Sequence, residues 1–362
     1  MWKFHYEFKH SLREDIMDRR NFFKTSLCGL PLLYTRFPEA NTKTEVYPEI
    51  KGKIITVKGA ISKAKMGFTL SHEHVLVDFT GAGQYDPSKW NKKEVENIMQ
   101  PYLEEVRGLG CDTMIDCTPE FLGRDPALLY ALSVRTGLNI LVPTGYYGAM
   151  NNKFLPDNVI SENAANLASQ WISEFHNGIG NTGIKPGFIK IGVDNQSLSD
   201  IHLKLVESAA ITHAATGMVI ASHTGGSVPA FEQLRILNKH KVAPSALIWV
   251  HSQDEKDDSM RERAARLGTW ISLDGVNEEN TGDYINRLEF LRQRSLLHKA
   301  IVSHDAGWYT PGKPGGGEIR GYTAIFRVLI PALRNAGFSE SDIRQIFVKN
   351  PSEAFAIRKR MS

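Results

Sequence analysis

Eight short apolar segments rich in β-branched residues alternate with longer amphipathic stretches from Phe68 onward. This alternation constrains the fold more than any other feature. The candidate strands are FTLSH (68–72), TMIDC (113–117), NILVPT (139–144), GFIKIGV (187–193), MVIASH (218–223), ALIWVH (246–251), TWISLD (269–274) and AIVSHD (300–305). Helical periodicity fills the gaps, as in KKEVENIMQPYLEEVRGLG, NAANLASQWISEF and DIHLKLVESAAITHAATG. Several of these stretches end on glycine (RGLG, HAATG, RLG), the residue that most easily takes the left-handed conformation of a helix cap. Two further helices are expected around 320–336 and 340–348. Strands alternating with helices pair in parallel through right-handed crossovers. Eight such units over roughly 290 residues predict an α/β fold, a closed (β/α)8 TIM barrel rather than a doubly wound sheet. No glycine-rich dinucleotide fingerprint opens the first unit.

No linker interrupts the pattern, so residues 41–362 read as a single domain, with 41–66 forming an introductory strand or hairpin across the barrel floor. Residues 1–40 differ. MDRRNFFKTSLCGLPLLYTRFPEA starts at Met17, carries Arg19 and Arg20, then Phe22, Phe23 and Lys24, then a short apolar stretch ending near Pro38. It resembles a bacterial twin-arginine export signal, which implies initiation at Met17 and a periplasmic or exported protein. The alternative is a basic tail on a cytoplasmic protein. Outside residues 1–40 the chain holds 36 basic against 35 acidic side chains, which gives no case for a nucleic-acid partner. No later apolar run approaches the roughly 20 residues of a membrane-spanning helix. Of the three cysteines, Cys28 lies in the signal-like segment, while Cys111 and Cys117 flank one strand. Six residues at about 3.3 Å each put those two beyond disulfide reach. The thiols therefore neither support nor exclude export.

Polar residues fall where a barrel enzyme keeps its active site, at the C-terminal ends of the strands. The first strand runs into His72 and His74, two apart and hence on one face, so two imidazoles can meet one metal ion. Strand four carries Lys190 amid Phe188, Ile189 and Ile191; strand five ends in His223, strand six in His251 and strand eight in Asp305. Four histidines and an aspartate at one mouth point to a metal site. A lysine buried in an apolar strand tends to lose its proton. It can then react with carbon dioxide to form a carbamate that bridges two cations, or pair with an acid such as Asp194.

HEH at 72–74, the FIK strand, SHT, VHS and SHD, in this order and spacing, resemble the phosphotriesterase family of the amidohydrolase superfamily. The likeness runs from about residue 52 to 357 and includes GRDPALLYALSVRTGLNILVPTGYYG and a helix with Asn350-Pro351. The resemblance implies a metal-dependent hydrolase with two divalent ions, zinc by default from this ligand chemistry. His72, His74 and Asp305 would bind the more buried ion and His223 and His251 the more exposed one, with carbamylated Lys190 (N6-carboxylysine) and a hydroxide bridging them. Two cations acidify the shared water and polarise the oxygen under attack. Asp305 would orient that water and carry its proton away. A homodimer is implied by the resemblance alone.

One departure stands out: Gln253 occupies the place, two residues after the strand-six histidine, where members often have an acid, with Asp254 beside it. This touches residues that tune metals rather than bind them. The SHTGGSVPAFEQL segment also lacks residues associated with the best-known organophosphate hydrolases, which leaves the substrate open. Tyr146 and Tyr147 would hydrogen-bond the bridging water, line the pocket or simply pack. Trp308, a further candidate for the substrate pocket, lies in GWYTPGKPGGGEIRGY (307–322), whose glycines and prolines suit either a lid or a solvent loop. Ser303-His304-Asp305 is not a catalytic triad, since adjacent strand residues face opposite ways. The leading expectation is hydrolysis of a small ester-like substrate, a lactone, carboxylic ester or phosphotriester. An amidohydrolase acting on an N-acylated small molecule and a non-catalytic metal- or ligand-binding barrel are the alternatives. A one-metal isomerase or deaminase would not need the strand-four lysine.

Overall fold

A hairpin, β1 (Lys53–Thr56) and β2 (Gly59–Ser62), precedes a ring of parallel strands. The strands are β3 (Thr69–Leu76), β4 (Thr113–Asp116), β5 (Asn139–Leu141), β6 (Pro143–Thr144), β7 (Phe188–Gly192), β8 (Ile220–His223), β9 (Leu247–Val250), β10 (Trp270–Leu273), β11 (Ala300–Val302) and β12 (Gly307–Tyr309). This computed structural model describes residues 50–362. The signal-like segment with Met17, Arg19, Arg20 and Cys28, and the boundary near residue 40, lie outside the described residues.

Ladders run β12-β3-β4-β5 and β11-β10-β9-β8-β7-β6. Two of the eight expected strands are each split in two, and this divides one barrel into two ladders. The 139–144 segment breaks at Val142 because Pro143 has no N–H to donate; the Val142 carbonyl still accepts from Gly187 N at 2.9 Å. The 300–305 segment leaves the ladder after Val302 and returns as β12, so Gly307–Tyr309 is strand rather than the start of a lid. Asp305 N donates to His72 O and His74 N to Ala306 O, both at 2.9 Å, and these bonds close the ring. The first strand runs on to Leu76, past the expected end at 72.

Between the strands lie α1 (Lys92–Gly108), α2 (Pro126–Thr136), α3 (Asp157–Ser161), α4 (Ala164–Asn177), α5 (Asp200–Thr216), α6 (Ser227–Lys239), α7 (Asp258–Leu267) and α8 (Thr281–Gln293). Side chains of Asn91, Asp125, Asn163, Ser199 and Asp257 accept from first-turn amides, the usual N-cap economy. Gly217 and Gly268 take the left-handed caps expected from HAATG and RLG, and Gly137 does the same; in RGLG the cap is Leu109 in the right-handed region, with Gly110 (φ 101°) turning the chain after it. The final helices contain wide π turns at Ile325–Leu329 and Gln345–Lys349, each just before a proline, Pro331 or Pro351. A proline ring collides with the carbonyl four residues back, and in both cases that carbonyl belongs to the widened turn.

The hairpin seals the N-terminal end of the barrel. Ile54 packs with Met66, Ile115, Leu141, Phe188, Val219, Ile248, Ile301 and Phe355 in one buried cluster. Val57 N bonds Ile140 O, and the 52–53 backbone bonds that of Ile357, tying floor to strand and C-terminal tail. The floor is apolar; the opposite mouth carries the polar residues. No helix among the described residues is long and apolar enough to cross a membrane.

Candidate metal centre

Period-two alternation along β3 turns His72 and His74 inward, with both rings buried and their centroids 5.2 Å apart. Asp305 meets them from the far side of the barrel seam, its Oδ1 3.1 Å from His74 Nε2 and 3.6 Å from His72 Nε2. His251 follows β9 in a left-handed conformation (φ 61°) that swings its ring to 4.4 Å from that of His223 and 5.1 Å from that of His72. Lys190, 1% exposed, reaches up from β7 with Nζ 3.5 Å from His72 Nε2. The six predicted ligands thus line one cavity of about 210 Å³.

The donor set suits divalent cations. One ligand atom each from His72, His74 and Asp305 lie within 4.8 Å of one another, and the same holds for His72, His251 and Asp274. Burial drives His251 down to about 4 and, with His251 and Lys190 close by, holds His223 well below the ordinary histidine value, so both rings are neutral and offer a lone pair. Burial alone would raise the Asp305 carboxyl, but the imidazoles of His72, His74 and His251 outweigh it and hold the group well below the usual carboxylate range. Lys190 has no ion pair with an acid among the described residues. Asp194, the alternative partner weighed from sequence, turns to His202 Nε2 (3.7 Å) and Asn151 N (3.4 Å). A buried amine without a carboxylate counter-ion, set among metal-type donors, is what a bridging carbamate would use.

Several supporting residues escape a reading of the sequence. Asp274, fully buried at the end of the seventh strand, faces His72 Nδ1 at 3.4 Å, accepts from His251 N at 2.9 Å, and is pulled down to about 2 against its burial by those two histidines. Its place at a strand end, like that of His223 or Asp305, was the available signal. Thr118 Oγ1 lies 2.8 Å from His74 Nδ1 and fixes that ring. Gln253 puts Nε2 3.3 Å from His251 Nδ1 while its Oε1 accepts from Asp274 N at 3.0 Å, so an amide stands between two members of the cluster. Glu73 and His304 face the other way and bond each other (2.7 Å); with His304 turned from Asp305, no triad forms.

The outer wall consists of Val77, Phe79, Leu122, Tyr147, Met150 and Trp308. Tyr147 stands edge-on to His223 (5.1 Å) and Trp308 to His74 (6.4 Å), so both line the pocket. Tyr146 does not. Its hydroxyl donates to Gln170 Oε1 on α4 (2.8 Å) and its ring packs between Phe121 and Trp171, away from the cavity. Met150, His251, Asp305 and Trp308 all have φ between 53° and 69°, a strain that concentrates at this mouth.

A family model described as the phosphotriesterase family matches residues 52–355. An aryldialkylphosphatase of Saccharolobus solfataricus is 28% identical over 310 residues, covering 83% of this chain and 98% of that protein. An N-acetyltaurine hydrolase of Dictyostelium discoideum is 24% identical over 375 residues, covering 85% and 99%. Among solved structures, a mutant organophosphorus hydrolase from Deinococcus radiodurans superposes with a TM-score of 0.75 at 25% identity, over 84% of this chain and 97% of its own. With the family's model spanning the whole barrel, from the floor hairpin to the last helix, this chain belongs to the phosphotriesterase family.

Proposed function

We propose that this member is a two-metal hydrolase that opens an ester-like bond (lactone, carboxylic ester or phosphotriester) in an uncharged small molecule. The observation that carries the reading is the convergence of His72, His74, Lys190, His223, His251 and Asp305 on one cavity whose remaining walls are apolar. His72, His74 and Asp305 would hold one ion and His223 and His251 the other. Lys190, as the carbamate formed from its amine and carbon dioxide with loss of a proton, would supply an anionic ligand to both. Two divalent cations, zinc by default for this donor set, supply an acidified water and an electrophile for the carbonyl or phosphoryl oxygen.

The chain's own groups do the rest. Asp305 is ionised at neutral pH and faces the cavity, so it can orient the attacking water and take its proton. Thr118 and Asp274 keep the rings of His72 and His74 aimed. Phe79, Met150 and Trp308 form an apolar rim, with Phe79 and Met150 partly open to solvent, against which an apolar leaving group would pack.

Apolar walls also bear on the substrate. Apart from Lys190 and the histidines, no cationic side chain lines the cavity among the described residues. N-acetyltaurine carries a sulfonate, which needs a cation or a cluster of donors when desolvated. An amide of that kind is therefore the second reading, favoured by the N-acetyltaurine hydrolases of Dictyostelium and of two vertebrates, Xenopus tropicalis and Tetraodon nigroviridis. A screen of neutral lactones, carboxylic esters and phosphotriesters beside N-acyl sulfonates tests this. The proposal expects kcat/KM for the best neutral ester to exceed that for N-acetyltaurine by about a hundredfold or more, on the order of 3 kcal/mol. The reverse ranking would overturn it. Export through residues 17–38 belongs to the same proposal and is tested by fusing 1–40 to a reporter that folds before export.

A further inference from the structure

We propose that Arg320, in the glycine- and proline-rich loop after β12, is the positioning residue that holds Asp305 and the Trp308 wall in their working conformations. Its catalytic consequence rests on the hydrolase reading; its structural part rests on the strained turn and on the contacts of the Arg320 backbone and guanidinium.

Residues 305 to 308 form an unusual turn. Asp305 (φ 53°), Gly307 (φ 97°) and Trp308 (φ 69°) all lie in the left-handed region, which a side-chain-bearing residue adopts only when its surroundings impose it. Gly307 is the position with no choice: a Cβ there would sit 1.8 Å from the His74 carbonyl oxygen.

The surroundings can be accounted for group by group. The amide N–H groups of His304 and Ala306 donate to Glu73 (3.0 and 2.9 Å), and that of Asp305 donates to His72 O (2.9 Å). Ala306 O accepts from His74 N at 2.9 Å. Trp308 O accepts from Thr310 Oγ1 at 3.2 Å, and β12 pairs with β3 through Gly307 and Tyr309; the carbonyls of His304 and Asp305 and the outer edge of Gly307 turn to Arg320. Its backbone exchanges two bonds with Gly307 (2.9 and 3.0 Å), its Nη1 donates to Asp305 O at 2.8 Å, and its Nη2 makes a longer contact of 3.5 Å to His304 O. The guanidinium also lies 5.0 Å from the centre of the Trp308 ring. One side chain thus reaches the carbonyls beside the proposed proton acceptor and the pocket's aromatic wall. A fork of donors can serve two carbonyls and a ring face at once; an ammonium cannot.

The consequence is a coupling. The 310–322 loop, through Arg320, sets where the Asp305 carboxylate and the Trp308 indole stand, so anything that moves the loop moves both. A merely structural arginine would lower stability and leave the turn as ordered as before in the protein that remains folded.

The test is hydrogen–deuterium exchange of peptides covering 303–310, in wild type, Arg320→Ala and Arg320→Lys. The proposal expects exchange through this turn to rise about tenfold or more in Arg320→Ala, with the β7 peptide unchanged. Added methylguanidinium should slow it again. Arg320→Lys should fall between the two and serves alone if the alanine variant does not fold. Wild-type exchange over 303–310 in the folded variants would overturn the assignment. Turnover of a neutral ester by Arg320→Ala should drop in kcat about tenfold while bound metal stays. Because exchange needs no substrate, a failure of ester hydrolysis would sink the functional reading and leave this one to be judged by the exchange data.

Discussion

Two histidine–carboxylate groupings share the same stretch of β3 and the same turn after β11, yet they have opposite characters. On the outward face, Glu73 accepts from Ser303 Oγ (2.6 Å), His304 N (3.0 Å), His304 Nδ1 (2.7 Å) and Ala306 N (2.9 Å), while His304 Nε2 accepts from Ile325 N at 3.0 Å. Every polar atom there is matched, so that face locks the barrel seam. On the inward face, one residue away on either side, His72, His74 and Asp305 converge with Lys190, their ring nitrogens, carboxylate and amine meeting at 3.1–3.6 Å around the cavity without forming a closed set of matched bonds. Buried polar groups left unmatched are costly, and a site keeps them when something else is to fill the coordination. The saturated group serves stability and the unsaturated one serves chemistry.

The largest effect should come from the inward face. Asp305→Asn keeps the shape but removes the proton acceptor, so turnover should fall by about 10² to 10⁴ while the metal-free protein melts close to the wild type. Normal turnover in that variant would remove Asp305 from the mechanism. The outward face should behave in the opposite sense. Glu73→Ala strips the acceptor from a buried hydroxyl, a ring N–H and two backbone amides, and should cost on the order of 3–5 kcal/mol in urea unfolding of the metal-free protein. Glu73→Gln should cost less, since one carbonyl oxygen remains. A small loss in both would mean the seam is held elsewhere.

A smaller effect tests the same rule on a histidine far from the mouth. His213 on α5 donates from Nδ1 to Met218 O (2.7 Å) and accepts at Nε2 from Arg360 N (2.9 Å), so only its neutral form satisfies both. Burial and the nearby Arg360 drive it from 6.5 down to about 4. The unfolded chain therefore binds a proton that the fold refuses between pH 6.5 and 4. This group's contribution is complete above pH 6.5 and is lost as the pH falls toward 4, with a ceiling of about 3 kcal/mol. His213→Gln cannot titrate, so the stability gap between it and the wild type should narrow or invert over that window. A gap that stays constant would contradict the assignment.

Most of the barrel was legible because its signal is periodic. Strands buried on both sides read as short apolar runs, and the runs between them carry helical spacing and caps. The breaks in the ladder were less so: 139–144 read as one strand, although Pro143 was the signal that could have marked the break, and the left-handed turn at Asp305 depends on Glu73, far away in sequence, and on Arg320 in the next loop. The metal-type residues stood out for a related reason, since histidine, lysine or aspartate at the C-terminal end of an apolar strand is conspicuous. Asp274 was not conspicuous, because an aspartate before a glycine reads equally as a turn. Tyr146 and Tyr147 could not be told apart, because the chain after β6 is no longer a strand and alternation gives no face. Arg320 was hidden altogether, since its partners are backbone carbonyls and a ring face.

The most direct measurement is the metal content per chain, by elemental analysis of protein purified without chelator, for the wild type and for Lys190→Ala. Two equivalents in the wild type and clearly fewer in the variant are predicted if Lys190 bridges the ions. About one equivalent in both would contradict the two-metal account and leave a barrel hydrolase built on a single ion.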